Sequence, residues 1–231
     1  MSQAAQTLLH ADGAAAWDIS QEVLDFIAAH VTPGMATLET GAGQSTLAFL
    51  AAGARHEAVT PSEIEAEAIT KEAIGRGLDH GQLTFRIGYS QDVLPKLEGD
   101  LDFVLIDGGH GFPIPATDWL YLAPRLKVGG VMMLDDVDLW TGQMLVDFMK
   151  QEACWEQIAL LRGRTAAFRL VSEFELHEWT KQPFVVQKSR WSQTRRKVVN
   201  LLGLIAKGNL SAIRHKLANE RRLADAAKDD Y

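Results

Sequence analysis

Apolar residues change period repeatedly along the first 171 positions. Val23, Leu24, Ile27 and Ala28 recur at helical spacing behind Ser20, a capping residue, and Pro33-Gly34 stops the run. "MATLE" (35–39) then reads as a short buried strand. After Gly41-Ala42-Gly43 the helical period returns in Leu47, Leu50 and Ala51, and Gly53 ends it. "HEAVT" (56–60) predicts a second strand. Residues 61–77 open with Pro61 and acids and close with glycines, which is helix punctuation, and Glu67 and Lys71 stand at a favourable spacing within them. "LTFRIG" (83–88), "LDFVLID" (101–107) and "VMMLDD" (131–136) predict strands three to five. Helices are expected at "ATDWLYLAPRL" (116–126) and "TGQMLVDFMKQEA" (141–153). "WEQIALL" (155–161) and "RTAAFRLV" (164–171) flank Arg162-Gly163 closely enough to predict an antiparallel hairpin.

Strands alternating with helices imply a doubly wound α/β fold with a Rossmann-like, mostly parallel sheet of seven strands. The expected organisation is an N-terminal segment (1–19), an α/β domain (20–171) and a basic helical C-terminal extension (172–231). In the extension, Val198, Leu201, Leu202 and Ile205 form one helical stripe; Leu210, Ile213 and Leu217 form another after Gly208-Asn209.

Charge sharpens that division. Residues 188–222 carry ten Lys/Arg and one acid, a balance of +9, whereas residues 1–187 carry 12 Lys/Arg and 26 Asp/Glu, a balance of −14. An acidic body argues against nucleic acid as a partner. Three readings of the arm stand open: packing on the body or on a second copy in a homo-oligomer, peripheral membrane contact with Trp191, and, last, nucleic-acid binding. Cys154 is the sole cysteine, which excludes an intrachain disulfide and fits a reducing compartment. The first twenty residues lack the basic start and apolar core of a secretion signal, and no apolar run is long enough to span a bilayer, so the cytoplasm is the expected location.

In an open α/β sheet, ligands bind beyond the carboxyl ends of the strands. Those ends carry Glu39 with Gly41-Ala42-Gly43, Thr60, Gly88-Tyr89-Ser90, Asp107-Gly108-Gly109-His110, and Asp135-Asp136. The glycine turn alone could be a tight strand–helix connection, and each acid alone could be a loop or cap residue. Their arrival together on one rim favours a ligand site.

This ordered set resembles the class I S-adenosylmethionine-dependent methyltransferases, over about residues 20–171. "IDGGHGFPIPATDWLYLAPRLKVGGVMMLDD" (106–136) is similar to the small-molecule O-methyltransferase group with "IDG-x-H" after strand four (methyltransferase family 24-like). The resemblance implies S-adenosylmethionine as cofactor and a hydroxyl of a small molecule or sugar as acceptor. Gly41, Ala42 and Gly43 would let backbone approach the methionine end, with Ser45 in place of a third glycine and Glu39 as the family's anchoring acid. The family's ribose-gripping acid is missing, because Thr60 stands there; Thr60, Ser62 or Glu63 are its candidate replacements. Gly88 and Ser90 would flank the adenine, and Asp107 and Gly108 would lie at the methyl group.

His110 is the candidate base, since its ordinary pKa is near neutrality, although it could equally satisfy a loop carbonyl. Asp107, Asp135 and Asp136 are candidate ligands for Mg²⁺, as in related enzymes that commonly carry Asp-Asn where this chain has Asp135-Asp136. Asp118 reads as a solvent-facing acid, and Trp119 and Tyr121 as packing residues. Trp17 is read as a lid or as a hydrophobic staple. Two alternatives remain at this point: an NAD(P)-dependent dehydrogenase, which would want an acid or arginine near Thr60, and a non-catalytic methyltransferase-like binding protein.

Overall fold

A computed structural model describes residues 19–206. Helix α1 (Gln21–His30) leads into β1 (Ala36–Thr40), α2 (Gln44–Ala51), β2 (Arg55–Thr60), α3 (Glu63–Gly75) and β3 (Leu83–Ile87). A one-turn α4 (Ser90–Val93) precedes β4 (Leu101–Ile106), α5 (Ile114–Leu122), β5 (Leu126–Leu134) and α6 (Trp140–Met149). The hairpin β6 (Trp155–Leu161) and β7 (Thr165–Leu170) completes the sheet. The strands lie in the order β3-β2-β1-β4-β5-β7-β6. β1 to β5 pair in parallel, and β7 runs antiparallel to both β5 and β6. The expected seven-stranded, mostly parallel α/β sheet is therefore present, with a reversed strand inserted at its sixth place.

Strand alternation sends each side of the sheet into its own core. Leu38, Val104, Ile106, Met132 and Leu134 pack with Trp119, Leu122 and Leu145 from α5 and α6. Their neighbours Phe103, Leu105, Val131 and Met133 pack with Val23, Ile27 and Phe49 from α1 and α2. The same alternation at the end of β1 points Glu39 and Thr40 to opposite layers.

Several boundaries move. α1 buries Val23 and Ile27 but exposes Ala28. α5 starts two residues before the expected Ala116 and stops before Pro124, where a 3₁₀ turn (Ala123–Arg125) takes over. β5 begins at Leu126, ahead of the expected Val131, so "KVGG" lies inside the strand as an irregularity. Gly129 at φ +89° is what permits that irregularity. α6 ends at Met149, four residues short of the expected limit. Arg162 and Gly163, both at positive φ, turn the hairpin as expected.

The chain divides into two compact units, one through Leu176 and one from His177. In the second, α7 (Pro183–Ala206) buries none of its residues, and Val198, Leu202 and Ile205 of the expected stripe are exposed. Lys188 lies over Phe184 and Arg195 over Trp191, at 5.3 and 5.8 Å from the ring centroids. The stripe through Leu210, Ile213 and Leu217, and Trp17, lie outside the described residues. No helix among the described residues is long and apolar enough to cross a membrane.

Candidate active site

A cavity of about 540 Å³ opens at the carboxyl ends of β1, β2 and β4, a volume suited to a small-molecule ligand. Its floor is the glycine turn. Gly41 has φ +88°, and a Cβ there would collide with the carbonyl oxygen of Asp107. Only glycine lets the turn lie against the end of β4. Ala42, Gly43 and Ser45 line the same floor.

Glu39 does not line the cavity. It is buried on the α2 side and accepts hydrogen bonds from Ser45 Oγ at 2.6 Å and from Thr46 Oγ1. His56 Nε2 lies 3.1 Å from the same carboxylate, while its Nδ1 lies 2.8 Å from Thr37 Oγ1. The imidazole stacks on Phe49 at 4.4 Å. Thr46 Oγ1 in turn accepts from the Gly43 N–H at 3.0 Å. The expected anchoring acid thus holds the turn from behind, through Thr46 and Ser45, because its place on β1 faces α2.

At the end of β2, Thr60 is buried and donates to Glu65 Oε2 at 3.2 Å. Its oxygen accepts from the Ser62 N–H, and Ser62 Oγ caps α3 by accepting from the Glu65 N–H. Thr60 and Glu65 line the cavity; Ser62 and Glu63 do not. An acid therefore does reach this corner, from the first turn of α3. Gly88 stays behind the wall, where a Cβ would press on Val93 at 2.9 Å. Tyr89, Ser90 and Gln91 form the wall itself.

Asp107, Gly108 and His110 border the far side with Asp136. Burial pushes the Asp107 carboxyl well above the usual range, and the neighbouring Asp135, Glu39 and Asp136 push it further. His110 Nε2 lies 3.0 Å from Asp136 Oδ2, and its backbone carbonyl accepts from Thr141 Oγ1 at 2.7 Å. Asp107, His110 and Asp136 each present a ligand atom within 4.8 Å of the others. The expected trio was Asp107, Asp135 and Asp136. Asp135 drops out because its carboxylate accepts from Thr165 Oγ1, outside the cavity lining.

Arg164 was absent from the sequence reading. Its Nη2 lies 2.5 Å from Asp136 Oδ1 and 4.0 Å from Asp135 Oδ2, and it lines the cavity. Burial works against its charge, but Asp135 and Asp136 outweigh this and hold its pKa above the usual arginine value. The topology holds the signal that finds it. An antiparallel strand meets the ligand rim with its beginning, so the start of β7 belongs with the ends of the parallel strands.

Asp118 is not solvent-facing. It is fully buried on α5, and burial raises its carboxyl to about 6. The hydroxyls of Ser90 and Thr40 favour its ionised form, yet neither oxygen has a well-formed hydrogen bond among the described residues.

A family model described as a methyltransferase domain matches residues 38–137. That segment is similar to methyltransferase domains. The match runs from β1 and the glycine turn to the residue after the Asp135-Asp136 pair. Solved structures share the architecture of this chain. A candidate O-methyltransferase from Klebsiella pneumoniae superposes with a TM-score of 0.60 at 16% identity, covering 71% of this chain and 86% of its own. Cofactor-bound Rv0187 from MTB gives 0.57 at 17% identity, with 66% and 81% covered. The O-methyltransferase NovP gives 0.56 at 18%, with 67% and 81% covered. At such identities the likeness establishes the fold. No curated protein matches the chain in sequence.

Proposed function

We propose that the methyltransferase moves the methyl group of S-adenosylmethionine to a hydroxyl of a small molecule or sugar. The observation that carries this reading is the one cavity edge shared by the glycine turn, Asp107 and the His110–Asp136 pair. When bound, the cofactor supplies an electrophilic methyl group on a sulfonium. The residues present fit it. The Gly41–Gly43 turn offers backbone without side chains, and the start of α2 favours a carboxylate. Thr60 and Glu65 offer a hydroxyl and a carboxylate for the ribose diol. Tyr89, Ser90 and Gln91 suit a purine, and Asp107 offers a carboxyl whose ionised form a cationic ligand would favour.

His110 takes the acceptor proton on its imidazole. Asp136, 3.0 Å away, orients the ring. Thr141 fixes the His110 backbone through its carbonyl. Mg²⁺ does not fit the donor set well. Asp135 faces Thr165, a histidine nitrogen takes its place, and a guanidinium already occupies Asp136. The mechanism therefore uses protein groups alone. O-methylation draws its support from neighbours whose names carry that activity, NovP among them. The sheet argues against the dehydrogenase reading, because its sixth place is taken by a reversed strand.

Calorimetry with S-adenosylmethionine and with its demethylated product tests the cofactor. Saturable binding of both is expected; binding of NAD(H) in their stead would overturn the reading. Glu65→Gln is expected to weaken cofactor binding about tenfold, by loss of one charge-assisted hydrogen bond. Glu63→Gln, two residues away and outside the cavity, is expected to leave it unchanged.

A further inference from the structure

The acid cluster that a divalent ion would enter has a cation built into it. Arg164 reaches it by backbone as well as side chain. The Val137 N–H donates to the Arg164 carbonyl at 2.8 Å, which ties the first turn of the hairpin rim to the loop after β5. Asp136 sits at φ +53°, a conformation that aspartate tolerates better than most residues. α6 holds it there, since a Cβ on Gly142 would lie 2.7 Å from the Asp136 carbonyl oxygen. Both partners of the 2.5 Å pair are therefore fixed at the main chain.

We propose that Arg164 is the resident cation of this methyltransferase's acceptor side, occupying Asp136 in place of a divalent metal and excluding one. The reasoning is geometric and electrostatic. A hard ion on Asp136 would bind its oxygen at about 2.1–2.6 Å, which places it within a few ångströms of the guanidinium. Guanidinium stays charged at every working pH, so titration does not relieve the repulsion. Nor can the ion shift to Asp135, whose carboxylate accepts the Thr165 hydroxyl and lies 4.0 Å from the same Arg164 nitrogen. Asp107 and His110 alone would leave a poor site. Residue 164 is then the position that decides whether this acid cluster works with a metal.

The test is a Mn²⁺ titration of the full chain without cofactor, followed by electron paramagnetic resonance of the free ion. The wild type is expected to show no saturable binding below about 1 mM Mn²⁺, a metal of the oxygen-ligand class. Arg164→Met is expected to gain Mn²⁺ affinity by about 100-fold, removing one close like charge. Arg164→Lys, which keeps the charge, is expected to stay with the wild type. Asp136→Asn in the Arg164→Met background is expected to abolish the gain. Micromolar binding by the wild type, or no gain in a folded Arg164→Met protein, would overturn the proposal. Retained affinity for S-adenosylhomocysteine shows that the variants are folded. Because the metal arm is read without cofactor, failure of the cofactor assignment would show separately, as loss of that affinity in the wild type.

Discussion

Glu39 shows how one residue serves a site that it does not touch. Its carboxylate gathers Ser45, Thr46 and His56 beneath the glycine turn. Glu39→Gln keeps the shape but brings an amide donor among groups that must donate. It is expected to cost on the order of 1–3 kcal/mol of stability and to weaken cofactor binding as the turn loosens. Thermal melts beside calorimetry check this; weakened binding with unchanged melting would assign Glu39 to direct contact instead. Asp118 works in the opposite sense. Its folded pKa of about 6 lies above the unfolded carboxylate value, so the folded chain holds the extra proton between about pH 4 and 6. Stability contributed by this group falls as pH rises through that window, by on the order of 2–3 kcal/mol. Asp118→Asn is expected to be more stable than the wild type at pH 8, with the gap closing below pH 4. Melts across that range would show it, and a pH-independent gap would contradict it.

At the scale of elements, the parallel strands and their helices were legible because period and punctuation agree there. The rim acids were legible too, since strand ends follow from strand positions. What escaped detection has a common cause. Glu65 reaches the Thr60 corner of the cavity because Ser62 sets the first turn of α3, so the acid sits five residues after Thr60. Arg164 escaped because the rim was read only from parallel strands. Asp118 escaped because a single acid among Trp119, Leu120 and Leu122 carries no mark of which face is buried. The face became definite only when α5 packed on β4, α4 and α6. The irregular stretch at Lys127–Gly130 was hidden for a similar reason, since its two glycines carry no strand pattern and only the pairing of β4 on both sides places them inside β5.

At the scale of the whole molecule, every described residue that lines the cavity belongs to the unit ending at Leu176. The basic unit from His177 supplies none of them. A chain truncated after Leu176 is expected to bind S-adenosylhomocysteine within about twofold of the full chain, a difference near the accuracy of calorimetry. Loss of binding would show that the basic extension takes part in the site. Of the expected roles of the basic extension, contact with an anionic membrane surface is the one that vesicles containing anionic lipid probe directly. Sedimentation of the full chain with such vesicles, and not of the truncated one, is the expected outcome if membrane contact is its role.

The reversed strand carries one more consequence, in the order of synthesis. The glycine turn, the Thr60–Glu65 corner and the wall at Ser90 have all their parts once β4 and Asp107 have been synthesised. Asp136 emerges some thirty residues before the arginine that neutralises it, and Arg164 comes to the rim only when β7 inserts between β5 and β6. On a nascent chain that folds from its N-terminus, the side of the cavity built on the glycine turn is assembled first and the side at Asp136 is finished last.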